Sequence, residues 1–375
     1  MRVLSSFLLI ILSIINSMGS SDLDSKKPLV IAHRGASGEL PEHTTAAYEL
    51  AINQGADFIE CDICLTKDLV PFCSHDCSLN SSTDISTRKD LKDRITKHDM
   101  DFDEPEFSMS EDYFSIDFTW DELKMVKVKQ SRLDRDQSHN FKYSLCSLEE
   151  FLNVAKNSKK PTGVYPELKY PVWQKQQLKT QFKEKNTTYE QLIVDILYTN
   201  GFDSKSKRVF IQTFDKEAAK NLHKITDMPI IYLAWRNFDS STVREAAEFA
   251  QGVGLWKNLI FHWGGYKNGT IKSTGLVKEA HDLKLKVHVY TFRVESKHVP
   301  FLFGNDIRRE YDAYLNEKID GFFTDYPYSL SSHLNYRYGE QCPKSEKSAN
   351  FARRHMATYI IYAITAFVSL IINKY

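Results

Sequence analysis

The sequence has no excess of charge of either sign, since 49 lysines and arginines balance 49 aspartates and glutamates. A balanced chain lacks the basic surplus with which proteins bind nucleic acid, so no nucleic-acid partner is expected. The 375 residues also contain no internal repeat and no low-complexity tract, which argues against a repeat protein. Any selectivity for an anionic ligand must therefore come from where individual charges are placed.

Long apolar runs are rare, and the two that occur lie at the ends of the chain. The first, Val3 to Ile15, follows one arginine and precedes small residues that suit cleavage after Gly19. This pattern predicts a secretory signal over residues 1–19, and a short membrane anchor is the alternative. The sequons at Asn80, Asn186 and Asn268 give weak support to a secreted glycoprotein.

The second apolar run, Met356 to Ile372, lies in a hydrophobic C-terminal segment, 351–375, that follows a spacer at 334–350. It suits either a transmembrane helix or a glycosylphosphatidylinositol (GPI) attachment signal that is removed. Arg353 and Arg354 would lie on the outer side of a helix, against the positive-inside tendency, which favours the GPI signal. We therefore expect a membrane-anchored protein on the extracellular face of the cell surface.

Cysteine is also scarce, and the spacing of CDIC and CSHDC first suggests zinc. A strand would direct Cys61 and Cys64 to opposite faces, and the secretory route favours disulfides, so we reject that reading. Cys64 and Cys77 are predicted to form one bridge.

Strand-like runs alternate with helical patterns from residue 28 to residue 333, which predicts a (β/α)8 barrel, a TIM barrel. Nine strand candidates start near residues 29, 56, 69, 162, 208, 229, 253, 286 and 320. This is one too many for the barrel, and the shortest candidate, VGLW at 253, is predicted to be irregular or extra. Residues 78–145 are charged and polar and too long for an ordinary connection, so we expect an insertion after the third strand. It covers the barrel mouth, with one helix near WDELKMVKV, or it is a solvated loop without a role in substrate choice.

Polar residues fall at the predicted C-terminal ends of six strands, where barrel active sites form. They are His33 and Arg34, Glu60 and Asp62, His75 and Asp76, Glu167 and Lys169, Gln212, and Thr324 and Asp325. The carboxylates Glu60, Asp62 and Glu167 offer only oxygen ligands, which suits one hard divalent cation such as Ca²⁺ or Mg²⁺. The alternative is a salt-bridge cluster in which Arg34 and Lys169 neutralise them without metal.

A cation, an arginine and a lysine in one site suit a phosphate diester. Because histidine titrates near neutral pH, His33 and His75 can act as the acid and base of a displacement at phosphorus. Arg34, Lys169 and Gln212 are the candidate substrate-binding residues.

Seven segments resemble, in order, the signatures of the glycerophosphodiester phosphodiesterase family: HRGASGELPEHT, GADFIECD, LTKD, SHD, YPELK, IQTF and GFFTDYP. With IDFTWDEL, the chain looks most like the periplasmic bacterial and plant secreted branches. One departure is His43, where the family often has asparagine. The resemblance implies a barrel of the phospholipase-C-like phosphodiesterase type and metal-dependent hydrolysis of glycerophosphodiesters, such as glycerophosphocholine, to sn-glycerol 3-phosphate and an alcohol.

The same resemblance implies that His33 and His75 are the acid and base pair, that Arg34 and Lys169 contact the phosphate, and that the three carboxylates hold the metal. In the related mechanism, a glycerol hydroxyl attacks phosphorus and a cyclic phosphate forms, which water then opens. Two alternatives remain open. One is a phosphodiesterase acting on lysophospholipids or GPI anchors, and the other is a surface binding module that has lost turnover.

Overall fold

The computed structural model describes residues 27–100, 109–236, 238–263 and 271–339. The predicted signal 1–19, the C-terminal segment 351–375, most of the spacer 334–350 and the sequon at Asn268 lie outside these ranges. Within them, no helix combines the length and the apolar character that crossing a bilayer requires.

Eight parallel strands close into a barrel. They are β1 (Leu29–Ala32), β2 (Phe58–Leu65), β7 (Gly163–Leu168), β8 (Ile211–Thr213), β9 (Ile230–Ala234), β10 (Gly252–Trp256), β13 (Lys286–Phe292) and β14 (Gly321–Thr324). Each strand pairs with the next in chain order, and β1 pairs with both β2 and β14, which completes the ring. The predicted (β/α)8 fold is confirmed.

Alternation along the strands separates the inside of the barrel from its outer face. Buried residues from five strands, together with Phe210 directly before β8, fill the interior: Ile31, Phe58, Tyr165, Phe210, Ile231 and Phe323. On β1, the flanking Val30 and Ala32 belong instead to the larger core between strands and helices. The barrel is therefore a packed core, and a ligand can enter only at its rim.

The described residues form eleven α-helices, several of them where the sequence shows helical periodicity. They are α1 (Thr45–Asn53), α2 (Trp120–Leu123), α3 (Leu148–Lys156), α4 (Pro171–Gln177), α5 (Lys179–Glu184), α6 (Tyr189–Thr199), α7 (Lys216–Ile225), α8 (Ser240–Ala246), α9 (Leu276–Asp282), α10 (Ile307–Asn316) and α11 (Pro327–Tyr338). Side-chain caps fix several starts; for example, Ser147 and Glu150 form a capping box at α3.

The prediction of which strand is extra was wrong. The VGLW segment is the regular barrel strand β10, whereas β3 (Pro71–Cys73) pairs antiparallel with β2 and lies outside the ring. A Cβ atom at Gly254 would lie 2.4 Å from the side chain of Leu233 on β9. Because that side chain already fills the space, β10 has a glycine at this position.

The segment 78–145 contains α2 and the hairpin of β4 (Thr96–Met100) and β5 (Met109–Asp112). After it, β6 (Cys146–Ser147) pairs with β3, so the segment begins and ends beside the same strand. The helix predicted near WDELKMVKV is shorter than expected, because Lys127 and Val128 form β-bridges instead. The short pair β11 (Phe261–His262) and β12 (Lys272–Ser273) completes the sheet structure.

Among the described residues, one disulfide joins β2 to the segment that follows β3. Cys64 on β2 is bonded to Cys77, with a Cα–Cα distance of 5.6 Å, as the sequence predicted. The thiols of Cys61, Cys73 and Cys146 are free and buried.

Candidate active site

The turn after β1 is held in an unusual backbone conformation. Arg34 has a φ of 62° and Gly35 a φ of 82°, both in the left-handed region. Only glycine fits at position 35, because a Cβ atom there would lie 2.8 Å from the backbone of Ala47. The turn lets the amide N–H of Arg34 donate to Glu60 Oε2 at 2.7 Å, which places the arginine beside the β2 carboxylate.

Three carboxylates meet at the mouth of the barrel. Glu60 and Asp62 lie two apart on β2 and thus on one face, and Glu167 on β7 is the register partner of Asp62. All three are buried, and one oxygen from each lies within 4.8 Å of the others. The structure thus brings together the three residues predicted to bind metal.

Two fixed cations lie among these carboxylates but do not balance them. Arg34 Nε is 3.4 Å from Asp62, and Lys169 Nζ is 3.1 Å from Glu167 and 3.9 Å from Asp62. Glu42, which contacts Arg34 at 3.2 Å, brings a fourth carboxylate to the cluster. With all four carboxylates ionised, they would exceed the two cations by two negative charges, which a divalent cation would balance.

The pKa values of the carboxyl groups show which of them are costly to ionise. Burial and the charge of Asp62 raise the pKa of Glu60 well above its ordinary value. Burial also raises the pKa of Glu167, to about 8, although Lys169 opposes the shift. In contrast, Lys169 and His43 lower the pKa of Asp62 despite its burial. A cation bound at this site would favour the ionised form of both glutamates and so offset the free-energy cost of ionising them.

An amide oxygen beside the carboxylates has no partner. Gln212 donates from Nε2 to Glu60 Oε1 at 3.3 Å, while its Oε1 is buried without a hydrogen bond among the described residues. A buried acceptor of this kind needs a cation or a donor group from a ligand. Together with the three carboxylates, this oxygen makes the donor set suitable for a hard divalent cation.

His33 is oriented by a buried carboxylate. Its Nδ1 lies 2.7 Å from Asp325 Oδ1, which leaves Nε2 for the pocket that His33 lines. Although burial opposes its charge, Arg293 and His33 lower the pKa of Asp325 well below its usual range. Burial and the charge of Arg34 lower the pKa of His33 to about 3, so the imidazole is neutral at pH 7. An ionised Asp325 accepts the Nδ1 proton, and Nε2 then carries the lone pair.

His75 reaches the same pocket because of the extra strand. The N–H of Ser74 donates to Asp62 O at 2.9 Å, so the chain after β3 arrives at the level of the carboxylates. His75 Nδ1 contacts Asp76 at 3.0 Å, and its side chain is 35% exposed. Burial and Arg34 lower the pKa of His75.

The pocket has a volume of about 970 Å³, and every predicted site residue lines it: His33, Arg34, Glu60, Asp62, His75, Glu167, Lys169 and Gln212. An aromatic wall, defined as Phe214, Trp235, Trp256 and Tyr290, forms one side. Within it, the rings of Trp235 and Trp256 stack with centroids 4.6 Å apart. Phe261 and Phe292, in contrast, are buried in the core.

The model of the glycerophosphoryl diester phosphodiesterase family matches residues 33–329, which is most of the chain and includes every residue of the site. The chain belongs to this family. It is therefore an enzyme, a glycerophosphodiester phosphodiesterase.

Individual relatives agree with this assignment. Over 337 residues, the phosphodiesterase is 34% identical to glycerophosphodiester phosphodiesterase GDPD6 of Arabidopsis thaliana, covering 83% of this chain and 87% of the relative. It is 29% identical over 357 residues to a glycerophosphodiester phosphodiesterase of Haemophilus influenzae, covering 83% and 91%. The structure of an Oleispira antarctica phosphodiesterase, in complex with the product sn-glycerol-3-phosphate, shares the fold with a TM-score of 0.56. It is 18% identical and covers 82% of this chain and 97% of its own.

Sequence reasoning missed several groups of this phosphodiesterase site. It noted His43 only as a departure, yet His43 Nε2 lies 2.9 Å from Asp62 and its Nδ1 lies 2.9 Å from the Tyr48 hydroxyl. It found Asp325 but gave it no role, and it did not single out Arg135 or Arg293, which also contact Asp325. His43 directly follows Glu42 and lies in the same signature segment as Arg34, which was an available signal that it belongs to the site. For the two arginines no local signal existed.

Proposed function

We propose that this enzyme hydrolyses glycerophosphodiesters, such as glycerophosphocholine, to sn-glycerol 3-phosphate and an alcohol with the help of a divalent cation. The observation that carries the proposal is the convergence of three carboxylates, two fixed cations and two histidines in one pocket. The relatives named for this reaction, and the Oleispira phosphodiesterase with sn-glycerol-3-phosphate, support the substrate class.

The metal and the phosphate have separate ligands in this scheme. Glu60, Asp62 and Glu167 would hold Ca²⁺ or Mg²⁺, which supplies positive charge to the phosphate oxygens. Arg34 and Lys169 bind the phosphodiester from the protein side, and their charges persist because neighbouring carboxylates raise the pKa of each despite burial. The fixed positive charges stabilise the negative charge that develops at phosphorus.

The histidines move the protons. A neutral His33, held by Asp325, accepts a proton at Nε2 from the attacking hydroxyl. His75 donates a proton to the leaving alcohol oxygen from its protonated form, which Asp76 stabilises although burial and Arg34 lower the pKa of His75. If the attacking group is a glycerol hydroxyl, the product of the first step is a cyclic phosphate. Water then opens the ring while the two histidines exchange roles.

The reaction and its metal requirement are tested together. The full chain is incubated with glycerophosphocholine and Ca²⁺, Mg²⁺ or a chelator, and sn-glycerol 3-phosphate is measured. Release with metal and none with chelator is the expected result. Release that chelation leaves unchanged would contradict the role of the carboxylates, and absence of release under every condition would contradict the substrate.

Rapid quenching separates the two routes to the product. A cyclic glycerol phosphate that appears before sn-glycerol 3-phosphate and then decays indicates attack by the glycerol hydroxyl. If water labelled with ¹⁸O enters the product without any cyclic species, water attacks directly.

A second substrate class has some support at the rim of the pocket. Leu133 is 88% exposed and Phe301 is 89% exposed, and each directly follows a pocket-lining residue, Arg132 and Pro300. Exposed apolar side chains of this kind suit a lysophospholipid presented at a lipid surface. Turnover of lysophosphatidylcholine that exceeds turnover of glycerophosphocholine, and that Phe301→Ser reduces, would favour this class.

The proposed location is the extracellular face of the cell surface, with a membrane anchor at the C-terminal segment 351–375. The sequons at Asn80 and Asn186 are exposed, which is compatible with glycosylation in the secretory pathway. Treatment of intact cells with a phospholipase that cleaves GPI anchors should release the protein, whereas retention would favour a transmembrane helix.

A further inference from the structure

We infer that Arg135, from the inserted segment 78–145, is a positioning residue of the active site that acts on His33 through Asp325. The inference rests on the proposed function, since it assumes that His33 transfers protons. It goes beyond that function because it makes the insertion a working part of the catalytic apparatus.

The contact chain is short and buried. Arg135 Nη2 lies 2.6 Å from Asp325 Oδ2, and the other oxygen of the same carboxylate lies 2.7 Å from His33 Nδ1. The side chains of Arg135 and Asp325 are only 1% and 2% exposed. One carboxylate oxygen of Asp325 contacts Arg135 and the other contacts His33. Because the pair is buried, these two contacts fix the plane of the carboxylate and hence the orientation of the His33 ring.

Arg135 also donates to two further acceptors of the barrel. Its Nε donates to Glu295 Oε1 at 2.8 Å, and its Nη1 donates to Ser37 O at 3.1 Å. The Tyr326 hydroxyl donates to the same Glu295 oxygen at 2.9 Å, and the centroid of the Tyr326 ring lies 5.5 Å from the guanidinium carbon of Arg135. Only the planar fork of an arginine reaches these acceptors at once, so lysine cannot replace it fully.

The insertion is docked around this side chain. Gln130 Nε2 donates to Ser37 O at 3.0 Å, and Lys297 pairs with Asp134 at 2.8 Å. Ser131 and Arg132 line the pocket, whereas Arg135 lies behind them and does not line it. An effect of Arg135 on turnover must therefore pass through Asp325 and not through contact with substrate.

Arg293 also binds Asp325 Oδ2, at 2.7 Å, so Arg135 is not the sole source of positive charge. Its distinct contribution is orientation, since it links Asp325 to Ser37, four residues after His33, and to Glu295, three residues after the end of β13. Loss of Arg135 should let the carboxylate rotate toward Arg293 and away from Nδ1.

The test is a double-mutant cycle with Arg135→Ala and Asp325→Asn, measured as kcat and KM on glycerophosphocholine with metal. We expect Arg135→Ala to lower kcat about 10- to 100-fold, because a small displacement of a reacting group costs this much, and to change KM less than about 3-fold. In the Asp325→Asn background the same substitution should cost almost nothing. Arg135→Lys should recover part of the loss.

Arg88→Ala is the matched control. Arg88 lies in the same insertion and also bonds a backbone carbonyl, that of Met125, and a carboxylate, that of Asp90, but it does not line the pocket. The control should keep wild-type kcat. Unchanged turnover in Arg135→Ala, an equal loss in both backgrounds, or an equal loss in Arg88→Ala would overturn the inference.

A readout independent of turnover separates this inference from the proposed function. In protein labelled with ¹⁵N-histidine, the resonance of His33, assigned with His33→Gln, should show a hydrogen-bonded proton at Nδ1 that shifts in Arg135→Ala and not in Arg88→Ala. If the His33 resonance shifts between wild type and Arg135→Ala but the wild type releases no sn-glycerol 3-phosphate, Arg135 does position His33 and the proposed substrate is wrong. If the His33 resonance does not respond, the inference fails whatever the activity.

Discussion

At the scale of single residues, the balance of charge around Asp62 decides which groups of the site are ionised. Asp62 lies near Arg34, Lys169 and His43 and stays ionised, whereas the pKa values of Glu60 and Glu167 are raised. Asp62 thus has enough positive charge nearby, whereas ionising both glutamates would require a further cation beside Lys169 and Arg34.

Glu167→Gln should weaken metal binding because it removes a charged ligand. We expect the dissociation constant for Ca²⁺ or Mg²⁺, measured by calorimetry, to rise at least about 10-fold. Glu190→Gln is the control, since Glu190 is also buried and paired with a lysine, Lys175, but lies outside the pocket. Equal metal affinity in wild type and Glu167→Gln would mean that this glutamate is not a ligand.

His75→Gln should lower kcat by about 10²- to 10⁴-fold, the usual effect of losing a general acid or base. His281→Gln is the matched control, because His281 has a similar exposure of 34% and pairs with Asp320 on the outside of the barrel. Steady-state kinetics of both variants check the prediction. A comparable loss in both, or in neither, would remove His75 from the mechanism.

Sequence reasoning found the residues at the strand ends because a barrel brings such ends together whatever the details of packing. The convergence of His33, Glu60, Asp62, Glu167 and Lys169 followed from alternation and strand order alone. Arg135 could not be found in this way, because it meets Asp325 across 190 residues through the irregular path of the insertion.

At the scale of elements, the length of β2 explains how His75 enters the site. This strand has eight residues, and β3 pairs antiparallel with its last three and returns the chain toward Asp62. The sequence could not distinguish β3 from a barrel strand, since both are short apolar runs and local periodicity does not encode the direction of pairing. The prediction failed for β10 because VGLW is the shortest candidate, and length alone does not show whether a run belongs to the ring.

The Cys64–Cys77 disulfide should stabilise this return of the chain. A bridge that closes a loop of 13 residues restricts the unfolded chain, and we expect reduction to lower the free energy of unfolding by about 3 kcal/mol. Urea unfolding with and without reductant measures the effect. The double variant Cys64→Ala/Cys77→Ala should show no response to reductant, and a full response would assign the effect to other cysteines.

At the scale of the whole molecule, the barrel interior is apolar except near its rim. His288 on β13 is an exception, since it is fully buried, and its Nδ1 lies 2.8 Å from the Tyr165 hydroxyl. Burial lowers the pKa of His288 from 6.5 to about 4. The folded protein therefore keeps this histidine neutral where the unfolded chain would protonate it.

The stability of the barrel should consequently fall in acid. Below pH 6.5 the unfolded chain takes up a proton that the folded chain refuses until about pH 4, so the free energy of unfolding decreases as pH falls through this window. His288 should contribute on the order of 3 kcal/mol to this decrease. Urea unfolding at several pH values should give a flatter dependence for His288→Gln, and parallel curves for the two proteins would contradict the assignment.

For the molecule as a whole, we propose that the barrel mouth is a phosphodiester-cleaving site in which His33 moves protons. The most direct test is single-turnover formation of sn-glycerol 3-phosphate from glycerophosphocholine, by wild type and by His33→Ala, with the same bound metal. We expect the wild type to form sn-glycerol 3-phosphate, and His33→Ala to form it at a rate lower by at least about 10²-fold with metal binding unchanged. Equal rates in the two proteins, or no product from either, would contradict it.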